Sequence, residues 1–239
     1  MDDHENKIEK EYDSQLGTKD YWENFYKQEI SNFELDNDFE SHVWFGNQVQ
    51  KKVVEYINKE FTDKNVSIID IGCGNAVFLI KLFKAGFTNL KGVDYSQSSI
   101  DLAQKLIQDK SEKLLRLDQA LSLGVEDINN PTTPFNYFKI ICDKGTFDAF
   151  MLYKENKSEK YVEYILKKIH NDGGYFIITS CNHTRNELIS YFCKESNEDK
   201  EDKDNSGIVF YKEIEHKKLM FGGSIGQTQT TLVFKVNLI

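Results

Sequence analysis

No stretch of this 239-residue chain approaches the roughly twenty apolar residues that a membrane-spanning helix needs. Met1 to Lys10 is polar and acidic, and reads as neither an apolar signal core nor an Arg-rich transit helix. The four cysteines, Cys73, Cys142, Cys181 and Cys193, show no CxxC spacing. That argues against a zinc framework or a disulfide scaffold and for a reducing compartment. No metal site is expected. Basic charge is also short. Lys and Arg number 30 against 39 Asp and Glu, giving a formal net charge of -9 and a pI near 5.2. An acidic surface repels phosphates, so nucleic acid is not expected as a partner. Attraction to a basic protein stays open.

What is present suffices for a packed core. Apolar residues make up 39% of the chain and aromatics 13%. A chain of this length buries roughly 70% of its unfolded surface without covalent staples. Charged residues at 29% and a mean hydropathy of -0.55 predict a soluble protein. No internal repeat is visible, and one α/β domain is expected.

Residues 1–15 read as a disordered tail and 16–42 as a helical extension. In the extension Tyr21, Trp22, Phe25 and Tyr26 recur at helical spacing from about Thr18 to Glu29, a stripe by which it would grip the domain. The domain proper is expected over 43–239, opening with a helix from Asn47 to Glu60. From residue 66 short β-branched runs alternate with helical stretches. Strands are predicted at 66–71, 89–94, 119–126, 137–143 and 175–180, with helices at 76–86, 96–107, 161–170 and 184–192. This alternation implies βαβ units and a parallel sheet. Two last strands, at 208–215 and 230–238, have no helix between them and predict a terminal hairpin. The hydrophilic run 195–207 reads as a solvated insertion.

In an open parallel sheet ligands bind beyond the carboxyl ends of the strands. Four successive strands end in a carboxylate here: Asp70 before Gly72-Cys73-Gly74, Asp94 before Tyr95, Glu126-Asp127, and Asp143 before Lys144-Gly145. The fifth ends in Thr179-Ser180-Cys181-Asn182. Gly72 and Gly74 would let backbone approach a ligand closely. Asp94 lies 20 residues after Gly74, the spacing at which an acid reaches ribose hydroxyls. Glu126 and Asp127 can accept from an adenine amino group, and Asp70 or Asp143 can face an ammonium. The third glycine of a dinucleotide fingerprint is replaced by Val77, and acids at 70 and 143 would oppose a pyrophosphate. The ligand indicated is a cationic adenosine without phosphate, which S-adenosylmethionine fits. Each acid can alternatively cap a helix. Cys73 and Cys142 read as small lining or core residues, and Lys144 as a partner for Asp148 or a site residue.

The runs Leu16-Gly17-Thr18-Lys19-Asp20-Tyr21-Trp22, Val43-Trp44-Phe45-Gly46, Asp143-Lys144-Gly145-Thr146-Phe147-Asp148-Ala149, Thr179-Ser180-Cys181-Asn182 and Phe221-Gly222-Gly223 narrow this further. Together with the strand-end acids they resemble the seven-stranded methyltransferases that modify lysines of translation elongation factor 1-alpha. The resemblance spans about 16 to 237. It implies a Rossmann-like sheet of order 3-2-1-4-5-7-6 with strand 7 antiparallel. It also implies S-adenosylmethionine held by Asp70, Gly72, Cys73, Gly74, Asn75, Asp94, Tyr95, Glu126, Asp127 and Asp143, and elongation factor 1-alpha as protein substrate. Trp44, Phe45, Tyr21 and Phe147 are expected to form an aromatic acceptor channel. Asp143, Asn182 and Trp44 are expected at the reacting amine. A cytoplasmic monomer is anticipated, and the competing reading is a methyltransferase of small molecules or other proteins with the same cofactor.

Overall fold

The computed structural model describes residues 14–36, 40–111, 114–133, 135, 137–193, 207–217, 219–221, 224–226 and 228–237. The expected tail lies outside these residues apart from Ser14 and Gln15, and the 195–207 run apart from Gly207. In chain order the helices are α1 (Lys19–Leu35), α2 (Gly46–Glu60), α3 (Val77–Lys84), α4 (Gln97–Ser111), α5 (Leu117–Ala120), α6 (Thr146–Met151), α7 (Ser158–Lys168) and α8 (Arg185–Phe192). The strands are β1 (Ile68–Ile71), β2 (Leu90–Asp94), β3 (Leu121–Val125), β4 (Ile140–Lys144), β5 (Gly174–Ser180), β6 (Gly207–Glu213), β7 (Leu219–Phe221), β8 (Ser224–Gly226) and β9 (Thr230–Asn237).

Seven strands form one sheet in the order β3-β2-β1-β4-β5-β9-β6. The first five are mutually parallel, while β9 runs antiparallel between β5 and β6. With β9 as the seventh sheet strand along the chain, this is the order 3-2-1-4-5-7-6 anticipated from the sequence. The connection from β6 to β9 carries a separate small hairpin, β7 with β8, which the sequence pattern did not announce.

Strand β1 is buried on both faces, which is why its sequence is largely β-branched rather than alternating. Ile69 and Ile71, with Ile141, Phe176 and Phe234, pack under α6, α7 and α8. Ile68, Leu90, Ile140 and Cys142 pack under α2, α3 and α4. Side-chain alternation along a strand then assigns the charged residues. Asp70 and Lys144 fall on the α2/α3 side of the sheet, and Asp143 on the α6/α7 side.

Helix α1 runs one and a half turns beyond the expected Glu29, because Ile30 and Phe33 continue its apolar stripe. The stripe lies on α4, where Tyr26 meets Leu102 and Leu106. Glu23 adds a polar clasp by accepting the first two amides of α4, from Gln97 at 2.8 Å and Ser98 at 3.2 Å. Helices α5 and α6 escaped sequence reading because four and six residues are too few to display a helical period.

Thr184 and Glu187 close a reciprocal capping box at the start of α8. Thr184→Ala removes the hydroxyl that accepts the Glu187 amide, and should cost about 1 kcal/mol in a urea melt. Among the described residues no helix is long and apolar enough to cross a membrane.

Candidate active site

The carboxyl ends of β1 to β5 open into a cavity of about 520 Å³, walled on its outer side by α1 and by the turn at Trp44 and Phe45. Its floor carries Gly72, Asp94, Lys144 and Gly145, and its far wall Tyr95, Asp127 and Ile128. Cys181 and Asn182 border it from β5.

Backbone shape at the floor follows from close approach. Gly72 has φ +63°, and a Cβ there would overlap the Thr146 hydroxyl. That hydroxyl donates to the Ile71 carbonyl at 2.7 Å. Gly74 has φ +54°, and a Cβ there would lie 2.5 Å from the Tyr26 hydroxyl. These glycines therefore admit protein side chains, so the loop is narrowed by α1 and α6 before any ligand arrives. Gly145, at φ +91°, is approached by the ring of Phe45, itself held in the left-handed region at φ 64°. Gly145→Ala should displace that ring and strain the turn, lowering thermal stability by several degrees on calorimetry.

The acids differ sharply in their commitments. Asp94 accepts from the amides of Gly74 and Ser96, both at 3.0 Å, and still lines the cavity. Burial raises its pKa against the pull of those amides. Asp70 is 2% exposed, and its Oδ1 has no hydrogen-bond partner. Burial pushes its pKa up, opposed by the Lys144 charge. Asp143 accepts from the amides of Thr146 and Phe147, each at 2.9 Å, and from the Tyr161 hydroxyl. Burial raises it to about 7. Glu126 accepts from Thr132, Thr133 and Tyr164 and pairs with the fully buried Lys168 at 3.1 Å. Burial works to raise its pKa, but the hydrogen bonds from Tyr164, Thr133 and Thr132 prevail and hold it at about 2.

Comparison with known proteins joins this geometry to a family. A family model described as a methyltransferase domain matches residues 62–230. EEF1A lysine methyltransferase 2 of Danio rerio is 34% identical over 224 residues, covering 93% of this chain and 88% of the relative. The chain belongs to this methyltransferase family. Protein-lysine N-methyltransferase efm4 of Schizosaccharomyces pombe is 29% identical, with 94% and 95% of the two chains covered. Among solved structures, magnesium protoporphyrin IX methyltransferase from Synechocystis, determined with bound SAM, superposes with a TM-score of 0.59 at 14% identity. It covers 92% of this chain and 95% of its own, a likeness of fold.

Of the residues singled out in the methyltransferase sequence, Gly72, Asp94, Tyr95, Asp127, Trp44, Phe45 and Asn182 meet around one cavity. Most of the others lie elsewhere, and Asp70 is buried and is not among the residues that line the cavity. Asp143 does not line the cavity; buried on the α6/α7 side of the sheet, it secures the start of α6 and Tyr161. Phe147 is fully buried among Tyr161, His183, Tyr191 and Phe192, so it cannot line an acceptor channel. Tyr21 stacks on Phe25 and borders a shallow outer groove with Gln15 and Asn24. Cys73 packs in the core beneath Gly92 and Leu79, and Gly74 is covered by Tyr26. Asn75 is spent on the His42 carbonyl at 2.7 Å, tying down the segment before Trp44. Glu126 borders the cavity, but its carboxylate is held by the Lys168 cluster and is not free for an adenine.

Lys144 does not pair with Asp148. That acid instead holds Ser180, His183 at 3.1 Å and the Cys181 amide at 2.8 Å. Ser180 in turn accepts the Asn182 and His183 amides, so this cluster sets the Asn182 turn. Sequence reasoning missed Tyr26 as part of the glycine loop and Glu23 as the clasp. Their partners lie about 50 to 75 residues away, beyond any local signal. Among the described residues no group of His, Cys, Asp and Glu is arranged to hold a metal ion.

Proposed function

We propose that this chain transfers a methyl group from S-adenosylmethionine to a lysine side chain of translation elongation factor 1-alpha. The observation that carries the reading is the single cavity joining Asp94, Tyr95 and Asp127 to Trp44, Phe45 and Asn182. The names of the relatives supply the acceptor. The residues fit a cationic nucleoside. Asp94 has lone pairs left beyond its two amide donors, and Gly72 keeps the floor low. No basic cradle for phosphates lines the cavity beyond Lys19 and Lys144.

When bound, S-adenosylmethionine supplies a methyl carbon already activated by its sulfonium. The residues of the chain then have two tasks. The first is to hold the acceptor amine in line, since most of the barrier reduction comes from positioning. Asn182 stands at the β5 end of the cavity, fixed by the Ser180 hydroxyl, and can orient an amine through its side-chain oxygen. The second is to favour the neutral amine. A free lysine loses its proton only near pH 10.4, so deprotonating it at pH 7 costs roughly 4–5 kcal/mol. The Trp44 and Phe45 rings offer a poorly hydrating wall that reduces this cost by disfavouring the charged form.

Radiolabelled methyl transfer onto purified elongation factor 1-alpha tests the proposal. Incorporation at a lysine is expected, and its absence under conditions where the chain binds S-adenosylmethionine would refute the acceptor assignment. Asn182→Ala should lower kcat about a hundred-fold with little change in cofactor affinity.

A further inference from the structure

The start of α1 borders two concavities. One is the binding cavity, and the other is the shallow outer groove lined by Gln15, Thr18, Asp20, Tyr21, Asn24 and Phe25. Thr18 and Asp20 belong to both, so the two meet at the rim. Aromatic rings join them as well. Tyr21 stacks on Phe25 with 6.5 Å between centroids, and Phe25 lies 5.9 Å from Trp44, which lines the cavity. A run of rings therefore leads from the open groove to the cavity wall.

The groove has the chemistry of a peptide site. Gln15 and Asn24 are exposed, and a side-chain amide both donates and accepts, as a peptide backbone requires. Tyr21 and Phe25 are half-buried, and rings of this kind take up an aliphatic stem or a cation. Asp20 is exposed and is the one charged residue among the six. Its place in the first turn of α1 already suits a carboxylate, through the helix dipole. That accounts for the acid, but not for two stacked rings left half-open to solvent beside it. The chain's formal net charge of -9 favours a basic partner.

We propose that this outer groove holds the stretch of the acceptor protein that adjoins the target lysine, with Asp20 pairing a basic side chain of that stretch and Tyr21 packing against it. This rests on a protein lysine being the acceptor, and deepens that reading by naming the surface that selects the protein around the lysine. The nucleoside end sits at Asp94, Tyr95 and Asp127, on the far wall of the cavity, so changes in the groove should leave the donor site in place.

The test is steady-state methyl transfer by the full chain onto purified elongation factor 1-alpha, beside calorimetric titration with S-adenosylmethionine. Tyr21→Ala and Asp20→Asn should each raise KM for the protein acceptor about ten-fold. Both should leave kcat and the Kd for S-adenosylmethionine within about two-fold, the signature of lost acceptor binding alone. Asp20→Glu should keep most of the native KM. The native KM should rise with salt, and that dependence should be weaker in Asp20→Asn. An unchanged KM in both variants would overturn the assignment. So would a matching loss of kcat and donor affinity, which would mark the groove residues as structural. A fall in KM would overturn it too, by showing that the chain itself or a second copy fills the groove. Should Tyr21→Ala fail to fold, Asp20→Asn, at an exposed position, still decides. A native chain that binds S-adenosylmethionine but transfers no methyl group to the factor would bring down the acceptor reading, and this assignment with it.

Discussion

Replacing Asp94 with alanine is expected to reduce affinity for S-adenosylmethionine by at least a hundred-fold. Two ribose hydroxyls donating to a carboxylate lose about 1.5–3 kcal/mol each when it is removed. The structure adds a second effect. Asp94 also anchors the Gly74 and Ser96 amides, so the substitution should cost stability through two unsatisfied donors at the glycine loop. Calorimetric titration beside a urea melt separates the two. If the folded variant binds within three-fold of the native chain, Asp94 does not hold the ribose.

Glu126→Gln is the substitution expected to harm stability most. It leaves Lys168 charged at a site with no exposed side-chain surface, close to Thr133 and between the rings of Tyr164 and Phe135. Breaking a buried pair from one side costs about 3–5 kcal/mol, which for a domain of this size is roughly ten degrees in Tm. The double variant Glu126→Gln with Lys168→Met should recover part of the loss, because no charge is then stranded. Acid should act in the same direction. The folded pKa of Glu126 is about 2, below its ordinary 4.5, so the stabilisation is complete above 4.5 and fades as pH falls towards 2. Asp143 behaves oppositely. Its folded pKa of about 7 means that stability declines as pH rises from about 4 to 7. A stability profile that rose steadily from pH 4 to 7 would contradict the burial that holds Asp143 in its protonated form.

Much of the site is legible in the residues alone. Acids at the ends of β1 to β4 sit where parallel strands hand their chains to the ligand side, and residue type with strand periodicity is enough to find them. What periodicity does not convey is which side of the sheet each acid faces when a strand is buried on both. Asp70 and Asp143 look equivalent in sequence, but they are separated by the sheet, one with a free oxygen and one consumed by α6 and Tyr161. Phe147 is misplaced for a related reason. The six-residue α6 is too short to show a period, and a helix beginning at Thr146 turns that ring into the core. Glu126 looks like a ligand acid because nothing local reveals that Lys168, 42 residues later, comes back to neutralise it.

The clasp between α1 and α4 bears on how the molecule is made. The amides that Glu23 accepts lie 74 and 75 residues further along the chain, and the Lys105 that pairs with Glu34 lies 71 away. Helix α1 leaves the ribosome before any of its docking surface exists. At about 5–20 residues per second it waits several seconds for α4, with its aromatic stripe uncovered. The outer wall of the binding cavity is therefore synthesised early and seated late. A nascent chain stalled before residue 97 should expose Trp22 and Tyr26 to chaperones, and lose that exposure once α4 has emerged.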